Sequence, residues 1–227
     1  MKIGIIGTGI VGQTLAEKLT ALGHDVVIGT RDVAATRART EPGGYGTPPF
    51  SVWQVQHPEV RLESFAGTAM HGEVLINATN GSGSLEALRA AGEANLSGKI
   101  LMDIANPLDF SKGMPPSLTV CNTDSLGEQI QRAFPNARVV KTLNTVNALV
   151  MVNPGLVGGG DHHMFVCGND VGAREKVAGW LKDWFGWKNV IDLGDISNAR
   201  GAEMILPIWV RLIGALKTPM FNFKIVR

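Results

Sequence analysis

The chain opens on a short apolar run, Ile3-Gly4-Ile5-Ile6, passes through glycines at Gly7, Gly9 and Gly12, and then sets Leu15, Leu19 and Leu22 on one helical face. A continuous run of branched apolar residues bounded by turn formers fits a buried strand, and the spacing that follows fits a helix over Gln13–Leu22. Gly23 closes that helix, and Asp25-Val26-Val27-Ile28 begins a second strand. The same alternation recurs. Val60–Glu63, Glu73–Ala78, Lys99–Ile104, Arg138–Leu143, His163–Cys167 and Asn189–Leu193 read as further strands. Helices are expected from Asp32 to Thr40, Ser64 to His71, Leu85 to Ala91, Ser125 to Phe134 and Ala173 to Phe185, with Ser125 and Glu128 in capping-box spacing.

Strands alternating with helices predict an α/β fold: a doubly wound, Rossmann-type domain with a mostly parallel sheet. A long apolar helix over Ser197–Leu216 and a terminal strand over Phe221–Val226 would form a small C-terminal segment. The expected division is therefore 1–195 for the nucleotide-binding domain and 196–227 for that segment. The segment is too small to fold alone and must pack on the domain or on a second subunit, so a homodimer is expected. Two stretches break the pattern. Asp109–Pro116 reads as loop, and Glu41–Phe50, dense in glycine and proline, reads as a surface connection or a flap over the adenosine end of a bound cofactor.

Gly7-Thr8-Gly9-Ile10-Val11-Gly12 is a G-x-G-x-x-G turn in the context that gives it meaning, after a strand and opening a helix. The first glycine makes the turn, the second lets backbone approach a pyrophosphate, and the third lets helix and strand pack closely. The pyrophosphate would rest on the helix N-terminus, where unpaired N–H groups favour an anion. An NAD site calls for a carboxylate about 20 residues past the glycines. Here the chain reads Gly29-Thr30-Arg31-Asp32. Gly29 brings no negative charge, the Thr30 hydroxyl can donate, and the Arg31 fork suits a 2′-phosphate, so NADP is expected. Asp32 most simply caps the next helix, and Arg37 and Arg39 read as a solvated face.

Ligands of doubly wound sheets lie beyond the carboxyl ends of the strands. Three such ends are small and polar: Asn77-Ala78-Thr79, expected near ribose and pyrophosphate; Ala105-Asn106, expected to face the nicotinamide; and Asn144.

Composition narrows the rest. The 227 residues are 44% hydrophobic with a formal charge of +1, which gives no reason to expect nucleic acid or an anionic membrane as partner. Cys121 and Cys167 lack metal-ligand spacing and read as small core residues of a protein from a reducing compartment. No signal peptide is visible, and the apolar stretch Met204–Val210 falls well below the ~20 residues of a spanning helix, so a soluble cytoplasmic protein is expected. His162 and His163 would point to opposite faces of a strand, which argues against a metal site. Trp180 and Trp184, one turn apart, read as core.

No nucleophile elbow, spaced carboxylate pair or acid–base motif stands out, and no catalytic side chain is assigned. Alcohol dehydrogenases need a positioned proton acceptor. Hydride exchange between two redox cofactors needs mainly their stacking, which suits a site of backbone and small polar groups.

The glycine turn, Gly29-Thr30-Arg31, Asn106-Pro107, Asn144-Thr145 and Ser197-Asn198-Ala199-Arg200 together resemble the family of coenzyme F420-dependent NADP oxidoreductases, over most of the chain. The resemblance implies a Rossmann domain with a small C-terminal segment, a homodimer, and reversible hydride transfer between NADPH C4 and C5 of a deazaflavin. It implies that Thr8 to Val11 hold the pyrophosphate and that Thr30 and Arg31 hold the 2′-phosphate. A lysine that the family can place near that phosphate has no match, since Ala35 stands about there. Other acceptors remain open, namely a flavin, a ferric complex or an imine or carbonyl compound, as does a non-catalytic NADP-sensing regulator.

Overall fold

In a computed structural model, which describes residues 1–42 and 47–227, the chain forms an eight-stranded sheet with helices on both faces and a separate two-stranded hairpin. The first unit follows the apolar pattern: β1 (Lys2–Ile6), α1 (Ile10–Ala21) and β2 (Asp25–Thr30). Next come α2 (Val33–Ala38), α3 (Phe50–Gln56), β3 (Arg61–Ser64), α4 (Phe65–His71), β4 (Val74–Asn77), α5 (Gly81–Ala91), α6 (Glu93–Leu96) and β5 (Ile100–Asp103). The hairpin strands β6 (Leu108–Asp109) and β7 (Ser117–Leu118) precede α7 (Leu126–Ala133) and β8 (Arg138–Thr142). The chain ends through α8 (Ala148–Val152), β9 (His163–Cys167), α9 (Val171–Phe185), β10 (Asn189–Asp192), α10 (Ala199–Met204) and α11 (Leu206–Leu216).

The strand order is β10-β9-β8-β5-β4-β1-β2-β3, and every neighbouring pair is parallel except β8–β9. The order reverses at β1, where β2 lies on one side and β4 on the other; that switch point sets the crevice. Alternate residues of β1 feed two cores. Ile3 and Ile5 join Leu15, Leu19 and Ile28 on the α1 face, and Ile6 joins Leu75, Leu88 and Leu101 on the other.

Side-chain caps start helices where the sequence offers them. Asp32 accepts from the Ala35 amide at 2.9 Å, and Ser64 accepts from Gly67 at 3.1 Å. Ser125 accepts from the Glu128 amide, but Glu128 bonds the Ser125 hydroxyl at 2.8 Å and forms a two-pronged pair with Arg200.

Several expectations are corrected. Ser197–Leu216 is not one helix: a 3₁₀ turn at Ile196–Asn198 leads into α10, and α11 starts afresh at Leu206 with Pro207 in its first turn, where a missing N–H breaks no bond. Phe221–Val226 forms no strand. It is held irregularly, the His163 amide donating to the Phe223 carbonyl at 3.1 Å and Asn222 Nδ2 to the His163 carbonyl at 2.9 Å. Phe50 opens the helix α3, which the periodicity did not announce, and Gly43 to Gly46 of the proline- and glycine-rich stretch lie outside the described residues. The 109–116 loop is bracketed by β6 and β7. Cys121 is exposed rather than core, while burial pushes the Cys167 thiol up to about 12.

Candidate functional site

The glycines of the first turn are used differently. Gly7 adopts φ +123°, and a Cβ there would stand 2.6 Å from the Ala78 carbonyl oxygen; one at Gly12 would stand 2.2 Å from that of Gly7. Both positions are closed to any side chain. A Cβ at Gly9 would meet nothing within 4 Å, so backbone faces open space at the start of α1. Gly9 itself caps α1, with no side-chain cap and no acid in the first turn. The first amides of the helix are therefore left for an anion. Gln13 Nε2 donates to the Thr8 carbonyl at 2.8 Å and braces the turn from within.

Beside this turn lies a cleft of about 1080 Å³. Gly9, Ile10, Val11, Ala78, Thr79, Ala105, Asn106 and Asn144 line it, so the ends of β1, β4, β5 and β8 converge as the strand order requires. Its far walls are apolar: Phe110 and Met114 from the hairpin, Leu149 and Met151 from α8, and Leu206 and Trp209 from α11. Among the described residues lining it, Arg211 is the one charged side chain, and it donates to its own helix at the Pro207 carbonyl.

Thr30 and Arg31 stand outside the enclosed part, at the end of β2. Thr30 is buried with its hydroxyl 2.7 Å from that of Thr36. Arg31 is open to solvent and pairs with Glu86 of α5 at 3.2 Å. Gly29 answers to packing as well as to charge, since a Cβ there would press on Thr68 Oγ1 at 2.8 Å.

Asn77 is fully buried and belongs to the layer beneath the cleft rather than to its lining. Its Nδ2 donates to Asp103 at 2.8 Å and to Ser84 at 3.2 Å, and its Oδ1 accepts from the Thr79 hydroxyl at 2.7 Å. Asn144 and Asn106 hold each other reciprocally, Asn106 Nδ2 donating to the Asn144 carbonyl at 2.8 Å and Asn144 Nδ2 to Asn106 Oδ1 at 2.9 Å. Asn144 also donates to the Ala202 carbonyl of α10 at 3.1 Å. Leu143, just before it, is held at φ +58°, which turns the chain out of β8 at a cost in backbone strain.

Lys141 completes this layer. Its ammonium is wholly buried, 2.9 Å from Asp103 Oδ2 and 2.8 Å from Glu203 Oε1, and it also donates to the Ala105 carbonyl. Burial works to lower the Lys141 pKa, but the Asp103 and Glu203 carboxylates outweigh it and hold the ammonium above its ordinary value. Glu203 also accepts from the Leu126 and Gly127 amides at 2.9 and 3.0 Å, so the N-terminus of α7 offsets the second carboxylate. The motif reading overlooked this group. A signal existed: Lys141, Asp103 and Glu203 are lone charges inside or at the end of apolar runs, where a charge must find a partner.

His162 lies with Nε2 3.0 Å from the Pro154 carbonyl and Nδ1 2.7 Å from Asn222 Nδ2, and His163 Nδ1 accepts from the Ile225 amide, so both rings are engaged by protein partners. Trp180 and Trp184 stack at 4.8 Å and pack against the core. Among the described residues, no helix is long and apolar enough to cross a membrane.

A family model described as NADP oxidoreductase, coenzyme F420-dependent, matches residues 2–107. A crystal structure of a candidate F420-dependent NADP-reductase from Arthrobacter sp. FB24 is 61% identical, with full coverage of both chains and a TM-score of 0.96. The F420-dependent NADP reductase of Methanothermobacter marburgensis is 26% identical over 93% of this chain and 92% of its own. Metalloreductase STEAP3 of Rattus norvegicus is 27% identical over 92% of this chain, which spans 38% of that relative's length.

Proposed function

This chain belongs to the coenzyme F420-dependent NADP oxidoreductases, and from that membership we propose that it transfers a hydride between NADP(H) and the deazaflavin coenzyme F420. The observation that carries the proposal is the cleft: polar backbone at one end, apolar walls at the other and, among the described residues lining it, no proton-transferring side chain between. None of the described residues lining it is a Tyr, His, Lys, Asp, Glu or Cys. Reduction of an imine or a carbonyl places a proton on the substrate heteroatom and calls for such a group. Hydride passage to C5 of a deazaflavin leaves its proton to be taken up at a ring nitrogen of the conjugated product, which solvent can supply without such a group.

The first turn fits a dinucleotide, because Gly9 leaves a cradle that a Cβ would fill and the uncapped amides of α1 face it. In this reading Gly7, Thr8, Gly9, Ile10, Val11 and Gly12 form the pyrophosphate turn, Thr30 and Arg31 meet the 2′-phosphate, and Ala78 and Thr79 flank the ribose. Ala105, Asn106 and Asn144 floor the nicotinamide end, with Asn77 supporting them from below. Held on these residues, the nicotinamide would offer C4 for hydride exchange. The chain's own residues orient the rings: the reciprocal Asn106–Asn144 pair fixes the floor, and Trp209, Leu206 and Met151 keep water from the second ring. Residues 1–195 would act as the nucleotide-binding domain and 196–227 as the segment closing the acceptor end, with α11 also the face of a homodimer.

The test follows loss of absorbance at the nicotinamide band when the purified protein meets NADPH and, in separate reactions, F420, FMN, FAD or ferric citrate. Turnover confined to F420 is expected. Turnover with ferric citrate or a flavin and none with F420 would overturn the acceptor, and nucleotide binding without turnover on any of the four would point to a sensor.

A further inference from the structure

The two groups at the end of β2 that suit a 2′-phosphate are both engaged by the protein itself. The Thr30 hydroxyl is satisfied by Thr36 at 2.7 Å. The Arg31 guanidinium is taken by Glu86 at 3.2 Å. Glu86 lies on α5, the helix that follows β4, whereas Arg31 follows β2, and in the sheet β1 separates β2 from β4. The ion pair therefore reaches across the carboxyl end of β1, over the side of the glycine turn where the adenosine half of a dinucleotide would lie. The N-cap of α5 does not use Glu86, since Asn80 Oδ1 accepts from the Ser82 amide at 3.2 Å. Both partners are about 70% exposed, at 70% and 69%. Such a pair adds little to stability, so its position rather than its strength calls for an explanation.

We propose that Glu86 is a specificity-tuning residue of the nucleotide site: its carboxylate occupies Arg31 in the free protein and must be displaced by the 2′-phosphate of NADP(H). The inference rests on the assignment of Arg31 to that phosphate. The incoming dianion meets a guanidinium that is already partly neutralised and, beside it, a like charge. Both lower the affinity for a phosphorylated nucleotide. NADH carries no such phosphate, leaves the Arg31–Glu86 pair intact, and is unaffected. Glu86 thus narrows the preference for NADP(H) that Arg31 creates, and it speeds release of the nucleotide by offering Arg31 a partner as the phosphate leaves.

The experiment is a double-mutant cycle read by binding alone, so it is independent of the acceptor. Dissociation constants for NADPH, NADH and 2′,5′-ADP are measured by nicotinamide fluorescence and calorimetry on the wild type, Glu86→Gln, Arg31→Ala and the double variant. Glu86→Gln is expected to tighten NADPH and 2′,5′-ADP about two- to fivefold, the range of an exposed ion pair, and to leave NADH unchanged. In the Arg31→Ala background the same substitution should have a smaller effect, that of removing the like charge alone. Unchanged or weaker NADPH binding in Glu86→Gln, equal tightening of NADPH and NADH, or an undiminished effect without Arg31 would each overturn the inference. Should Arg31→Ala leave the choice between NADPH and NADH untouched, the Arg31 assignment itself falls, a result distinct from a silent Glu86.

Discussion

At the scale of single residues, the site contrasts glycines forced by sterics with one left open for a ligand. Gly12→Ala drives a Cβ into the Gly7 carbonyl, which cannot move without unseating β1 from α1. Thermal unfolding should therefore show a loss of about 1–3 kcal/mol, the range for overpacking against a rigid neighbour. Gly9→Ala meets no atom and should leave stability almost unchanged while weakening NADPH, since the methyl group would occupy ligand space. Equal effects on stability at both positions would contradict that division of labour. Arg31 belongs to the same scale. Arg31→Ala should weaken NADPH by about 2 kcal/mol, as expected for a lost charge-assisted pair, and leave NADH nearly untouched in a fluorescence titration.

At the scale of elements, α7 carries a measurable pH signature. The Arg132 guanidinium holds the Asp124 carboxyl down at about 2, bonding both its oxygens at 2.9 and 2.8 Å. A carboxyl with a folded pKa below its unfolded value adds stability that is fully present above the ordinary carboxylate range. That stability is lost as pH falls through about 2. The gap in melting temperature between wild type and Asp124→Asn should stay constant from neutral pH to about pH 5 and shrink from there toward pH 2. A gap that widens in acid would reverse the sign and refute the pairing. Elements also show where periodicity misleads. The apolar pattern of Ser197–Leu216 is continuous, so only the three-dimensional path reveals that α10 stops at Met204 to place Glu203 under the sheet while α11 turns to roof the cleft.

At the scale of the whole molecule, the buried charges join parts of the chain far apart in sequence. Glu203 of α10 meets Lys141 of β8, which meets Asp103 of β5, which meets Asn77 of β4, whose carbonyl side receives Thr79 of the cleft wall. Lys141→Met leaves two carboxylates buried without their cation and should cost about 3–5 kcal/mol in chemical denaturation. A cost below about 1 kcal/mol would show that water or protonation relieves the pair more cheaply than this burial implies. The face of α10 and α11 away from the cleft exposes Met204, Ile208 and Leu216. If that face joins two copies of the chain, Ile208→Lys should shift sedimentation from dimer to monomer with the melting transition of the protomer retained.

The sequence by itself determined the sheet, the placement of the glycine turn and the identity of the cofactor. Each of these rests on local physics: buried strands need apolar runs, a left-handed turn needs Gly7, and a missing acid with an arginine in its place is visible within four residues, Gly29 to Asp32. It also gave the three polar strand ends, because a parallel sheet brings its carboxyl ends to one edge. Only the tertiary structure decided that Asn77 serves beneath the cleft rather than within it, that Lys141, Asp103 and Glu203 share one buried site, and that Glu86 holds Arg31. Those facts depend on contacts between residues far apart in order of synthesis, such as Asp103 and Glu203 each meeting the one ammonium of Lys141. No periodicity records such a meeting, because the partners are chosen by the order of strands and the turn of a helix, and not by their neighbours in the chain.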